Sequence, residues 1–117
     1  MSELVTTNWL FKNSKNIKLI ILDCSFHMPY EKRNAKKEYN NCHIENAFFF
    51  DIEKISNTKS KLPHMIPNSN LFKIEVKKFG INSDSIIVVY DSKGIFSSAR
   101  VWWMFKYFGH NKIAVLD

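Results

Sequence analysis

The chain reads as an α/β domain, a mainly parallel central sheet flanked by helices on both faces. Three observations predict it. Ile86-Ile87-Val88-Val89 is a β-branched run without polar interruption, the pattern of a strand buried on both faces of a parallel sheet. Lys18–Asp23 (KLIILD) repeats that pattern and ends in an acid. After Tyr90 the sequence breaks into the turn cluster Asp91-Ser92-Lys93-Gly94 and resumes from Ser97 with Val101, Trp102, Phe105 and Phe108 at helical spacing.

With 117 residues the chain supports one domain, 1–117, able to bury roughly 65% of its unfolded surface. Hydrophobic residues make up 45%, ten of them Phe, enough for a packed core. No stretch approaches the ~20 apolar residues of a membrane span, and the N-terminal residues lack a signal-peptide pattern, so a soluble, cytoplasmic protein is expected. Cys24 and Cys42 are too few for a disulfide scaffold and have no metal-ligand spacing with the histidines. Neither a metal nor a cofactor is expected. The net charge of +6 comes from basic residues interleaved with acids, which argues against a nucleic-acid partner.

Taken in order, Leu4-Val5 is a short edge strand, and Thr7 the N-cap of a helix of one to two turns through Trp9, Leu10 and Phe11. Lys18–Asp23 is a central strand whose carboxyl end delivers Asp23, Cys24 and Ser25 to the sheet edge that also carries Asp91. Helix formers over Glu31–Cys42 predict a mostly polar helix with Ala35 and Tyr39 as its apolar stripe. Ala47–Phe50 is a buried strand. Asn57–Pro67, with two prolines and no periodicity, is a loop. Ser69 or Asn70 caps a helix carrying Leu71, Phe72, Val76 and Phe79 and closed by Gly80. Ile113–Leu116 is the last strand.

The loop after Tyr90 occupies the carboxyl end of a parallel strand, where open α/β sheets place their crevice. Its backbone N–H groups and the helix start near Ser97 form an anion-favouring cradle over Asp91, Ser92, Lys93, Gly94, Ile95 and Phe96. Its first position is Asp91. A carboxylate there can fill the anion site itself, but it is a poor nucleophile toward sulfur and cannot carry a persulfide.

The segment VVYDSKGIFSSARVWWMFKYFGHNKIAVLD resembles the amino-terminal domain of the two-domain sulfurtransferases, the rhodanese and 3-mercaptopyruvate sulfurtransferase family. Pro29, Arg33, Ala35, Glu38, Tyr39, His43, Ile44 and the Leu62-Pro63-His64-Met65 stretch extend the likeness from Leu4 to Asp117. Glu45-Asn46 stands where the family usually has Pro-Gly, and Ser98-Ala99 replaces its usual Ala-Pro. The resemblance implies a rhodanese-like fold, with the reactive Cys on a second domain and Asp in its place here. It also implies that the chain stops short of the family's next helix, leaving one face open and the isolated monomer marginally stable.

From the same resemblance, Glu53, His64, Arg100 and Trp103 are candidates for the cleft or the domain interface. Glu53 stands where related enzymes tend to have Asp. His64 lines the cleft. Arg100 is expected to form a buried ion pair with Asp91 or Asp23, with anion binding as the alternative. One of Trp102 and Trp103 faces the core while the other meets a partner domain. Cys24 is read as a small buried hydrophobe, with a reactive thiol as its alternative, and His27, His43 and His110 as hydrogen-bonded structural residues.

The leading reading is a non-catalytic rhodanese-like domain that braces a catalytic rhodanese domain acting on thiosulfate or 3-mercaptopyruvate. The chain alone is then inactive. The alternatives are a stand-alone binding module, possible as a homodimer through the open face, and a gene remnant without activity.

Overall fold

The structure, a computed structural model, describes residues 3–55, 68–93, 95 and 97–117. Five parallel strands form one sheet in the order β1-β5-β4-β2-β3, with β1 at Leu4–Val5, β2 at Leu19–Asp23, β3 at Phe48–Phe49, β4 at Ile86–Tyr90 and β5 at Ile113–Leu116. The two β-branched runs are neighbours at its centre, with Leu19 opposite Ile86 and Asp23 opposite Tyr90. This register brings the carboxyl ends of β2 and β4 level, so the residues that follow them share one edge.

Alternation along β4 divides the core. Ile87 and Val89 face a cluster with Leu22, Phe50, Ile113 and Val115, while Val88 faces one with Val5, Ile21, Ala47 and Ala114. All three β4 residues are fully buried, which explains why this strand carries no polar position. The first cluster is covered by α3 (Ile52–Ile55), α4 (Ser69–Lys77) and α5 (Ser97–Tyr107) through Ile52, Ile55, Phe72, Val101, Met104 and Phe105. The second lies under α1 (Thr7–Asn13) and α2 (Ala35–Asn41), represented by Leu10 and Tyr39. This lighter cover leaves an apolar groove of about 860 Å³ between α1 and α2, lined by Leu10, Phe11, Leu19, Ile21, Ile44 and Leu116. No described helix is long and apolar enough to cross a membrane.

Several boundaries differ from the sequence expectation. The α1 cap is Thr6, whose Oγ1 accepts from the Trp9 N–H at 3.1 Å, rather than Thr7. The helix expected from Glu31 is a separate 3₁₀ turn at Pro29–Glu31 followed by α2, because Lys32 takes φ +52° and Asn34 caps at the Lys37 N–H. Asn68, not Ser69 or Asn70, caps α4 through the Leu71 N–H. Asn46 adopts φ +67° in the turn before β3, a conformation Asn tolerates. Gly80, at φ +79° just after α4, fits its expected role of closing that helix. The expected loop Asn57–Pro67 lies outside the described residues.

Candidate functional site: the loop after β4

β2 and β4 set the site. Cys24 donates its N–H to the carbonyl of Tyr90, the last residue of β4, at 2.7 Å, extending the ladder one step past β2. Beyond that point the loop folds over the strand ends, with the Ser92 N–H donating to Ser25 Oγ at 3.0 Å. The Ser97 hydroxyl donates back to the Cys24 carbonyl and anchors the start of α5 to the end of β2.

Asp91 sits inside this loop with both carboxylate oxygens engaged. Oδ1 accepts from the Lys93 N–H at 2.9 Å and Oδ2 from the Ser98 N–H at 2.7 Å. The second donor is one of the first-turn amides of α5, which a helix leaves without an internal acceptor and which favour negative charge. The side chain therefore occupies the anion-favouring position that its own loop creates. Ser98 contributes its backbone here; its Oγ is buried with no hydrogen-bond partner among the described residues.

Lys93 is tied away from the loop centre by an ion pair between its Nζ and Glu31 Oε1 in the 3₁₀ turn. Glu31 also accepts from the Met28 N–H, and the two donors, Lys93 first, hold its carboxyl below the usual glutamate range. A second carboxylate lies nearby: Glu38 of α2 takes a bidentate pair from Arg33 at 2.9 and 3.0 Å and meets His27 Nε2 at 2.7 Å. Arg33, and after it His27, lower the Glu38 pKa. The His27 ring is buried between the two acids, its Nδ1 3.9 Å from Glu31 Oε2. This network spans residues 27 to 93 and joins three segments at one sheet edge. His43 and His110 contact backbone carbonyls, at Tyr39 and Ser85 respectively.

Cys24 lies at the same edge but is fully buried. Burial, then the nearby carboxylates of Asp23 and Asp91, push its thiol pKa well up, the reverse of what a sulfur nucleophile requires. Cys42 follows α2 and is exposed. Glu53 is exposed on α3 and lines a polar cavity of about 210 Å³ with His27, Arg33 and Lys36. Asp51 Oδ1 accepts from the Glu53 and Lys54 N–H groups and holds the start of α3.

Arg100 departs from its expectation. It is exposed on α5, and among the described residues it has no ion pair with Asp91 or Asp23. The reason is helical phase: Val101, Met104 and Phe105 take the core face, while Asp91 is satisfied by backbone amides. Trp103 is 49% exposed beside Tyr107, whereas Trp102 packs against the core with Lys106 over its ring. His64, Gly94 and Phe96 lie outside the described residues. The Glu31–Lys93 pair was invisible in the sequence, since nothing links two charges 62 positions apart until β2 and β4 are aligned.

Comparison with known proteins accords with this arrangement. Residues 6–117 match the model for the rhodanese-like domain. The chain is 50% identical over 113 residues to thiosulfate/3-mercaptopyruvate sulfurtransferase 1, mitochondrial, of Arabidopsis thaliana, covering 97% of this chain and 30% of that protein. It is 39% identical to the 3-mercaptopyruvate sulfurtransferase of Escherichia coli K12, over 96% of this chain and 40% of that one. Among solved structures, the sulfur transferase subunit of yeast mitochondrial complex I superposes with a TM-score of 0.92 at 39% identity, over 99% of this chain and 39% of that one. The chain thus spans 30 to 40% of the length of these relatives. With the expected parallel sheet, the loop after β4 and a family model matched over nearly every residue, the chain belongs to the rhodanese-like domain family.

Proposed function

We propose that this chain is the non-catalytic rhodanese-like part of a sulfurtransferase that moves sulfane sulfur from thiosulfate or 3-mercaptopyruvate to a thiol or cyanide. In that reaction a thiolate attacks the sulfane sulfur of thiosulfate, or the thiol sulfur of 3-mercaptopyruvate, and forms a new S–S bond. The donor's bond to that sulfur breaks with its electron pair leaving on sulfite, or on the enolate of pyruvate, which takes up a proton. The persulfide then passes its outer sulfur to the acceptor. The loop that would cradle such a persulfide has a carboxylate as its first residue, and a carboxylate cannot hold sulfur.

The observation that carries this reading is the engagement of Asp91 by the Lys93 and Ser98 amides, which occupies the donors a persulfide anion would use. Cys24 supports it as the neighbouring thiol that burial keeps protonated and inaccessible. In this reading the thiol belongs to a catalytic rhodanese domain that packs against the edge carrying Asp91, Glu53 and Lys93. The groove between α1 and α2 is then covered by further polypeptide or by a second copy.

The test is thiocyanate formation by the purified chain from thiosulfate and cyanide, and pyruvate formation from 3-mercaptopyruvate with a thiol acceptor. No turnover is expected. Enzymic rates that disappear in Cys24→Ser would overturn the reading.

A further inference from the structure

The imidazole of His27 has no task in the sulfur-transfer reading. It follows β2 and sits where three segments meet: the 3₁₀ turn with Glu31, α2 with Glu38, and the loop after β4, which reaches Glu31 through Lys93. Its side chain is only 1% exposed, and its two ring nitrogens have different surroundings. Nε2 lies 2.7 Å from Glu38 Oε1. Two N–H donors from Arg33 keep Glu38 ionised, so its oxygens can only accept, and Nε2 is the protonated nitrogen of the neutral ring. Nδ1 is then a bare lone pair. It is buried with no hydrogen-bond partner among the described residues, and Glu31 Oε2 faces it at 3.9 Å.

The charges around the ring favour a proton at that lone pair. Glu31 is paired with Lys93, and Glu38 with Arg33. Lys36 of α2, Asp51 before α3 and Glu53 on α3 line the polar cavity that His27 also lines. Lys36 lies over the rings of Tyr39 and Phe49. Four carboxylates thus stand against three cations, one net negative charge that an imidazolium cancels.

The geometry points to a proton-operated clasp. Protonation of His27 at Nδ1 creates a donor for Glu31 Oε2, reached by a closure of about 1 Å, and the ring then bridges both glutamates. Because Glu31 also holds Lys93, drawing it onto the ring tightens the loop after β4 on the carboxyl end of the sheet. The new hydrogen bond exists only in the protonated form. It is therefore present below the titration of His27, lost as pH rises through it, and lost again where the glutamates take up protons. The clasp belongs to the chain itself and stands whether or not Asp91 excludes sulfur chemistry.

The experiment follows amide hydrogen exchange of the isotope-labelled whole chain from about pH 8 to about pH 5.5, across the range in which imidazoles change charge, with each rate corrected for that of an unstructured amide at the same pH. Three amides report: Met28 donating to Glu31 Oε1, Ser92 to Ser25 Oγ, and Lys93 to Asp91 Oδ1. Their protection is expected to rise at least about threefold on acidification in the parent and to stay level in His27→Gln. Glu31→Gln, at a partly exposed position, keeps the shape but not the charge facing Nδ1 and is also expected to stay level, which tests the clasp even if His27→Gln does not fold. Ring nitrogen shifts at the alkaline end are expected to show Nε2 protonated and Nδ1 bare. Level protection in the parent, an undiminished rise in either variant, or the reverse tautomer would overturn the clasp.

Discussion

Asp91 Oδ2 accepts the Ser98 N–H at 2.7 Å, so the side chain that opens the loop after β4 caps the helix that closes it. With Oδ1 on the Lys93 N–H, one side chain ties the start of the loop to the first turn of α5. Asp91→Ala removes both acceptors and leaves two backbone donors unsatisfied in a partly buried loop. The expected cost is about 1–3 kcal/mol, read as a lower urea midpoint with an unchanged slope. A variant as stable as the parent would show that the loop does not depend on this carboxylate.

Ser98 offers the opposite case. Its N–H is used, but its hydroxyl is buried with no partner among the described residues. Replacing it with alanine removes the unsatisfied group and spares the backbone contact. Ser98→Ala is therefore expected to be neutral or to stabilise by up to about 1 kcal/mol. A loss of stability would reveal a hydroxyl contact that matters.

The two thiols should differ sharply in access. Cys42 is exposed and Cys24 fully buried, with its pKa raised by burial and by Asp23 and Asp91. A chromogenic disulfide such as Ellman's reagent is expected to modify Cys42 rapidly in the native chain and Cys24 only when the chain unfolds. Prompt modification of both in native buffer would contradict the packing at the β2 end.

Glu31 and Glu38 both titrate below the usual glutamate range, through Lys93 and through Arg33 with His27 respectively. Groups with lowered folded pKa values stabilise fully above their unfolded value of about 4.3, and that contribution is lost as pH falls through the folded values. Stability should therefore decline from about pH 5 downward, with the two acids contributing to the slope. Both are solvent-accessible, so the effect is screened and shrinks with added salt. In Glu31→Gln with Glu38→Gln the slope between pH 5 and 3 should be shallower; an identical slope would assign acid sensitivity elsewhere.

The central strands were legible in the sequence because a strand covered on both faces must be apolar at every position, and Ile86–Val89 and Leu19–Leu22 obey that constraint alone. The turn at Asn46 and the closure at Gly80 were legible for a similar local reason. Helix starts were not. Thr6 and Thr7 are equally competent caps, as are Asn68, Ser69 and Asn70, and packing selects among them. Glu31 has good helix propensity, yet it ends a 3₁₀ turn where its carboxylate reaches Lys93. Of the site, Asp91 was readable as the filler of its loop from residue type and position, whereas the Arg100 expectation failed because a charge near an acid in sequence need not face it on a helix.

The most direct test of the account is intact-mass measurement of the Cys42→Ser chain after incubation with thiosulfate or 3-mercaptopyruvate. The substitution removes the exposed thiol and leaves Cys24 as the only sulfur that could carry a persulfide. The expected spectrum is that of the unmodified chain, because Asp91 holds the cradle and Cys24 is sealed beneath it. Stoichiometric gain of one sulfur atom on Cys24 would contradict the account and make this chain a sulfur carrier in its own right.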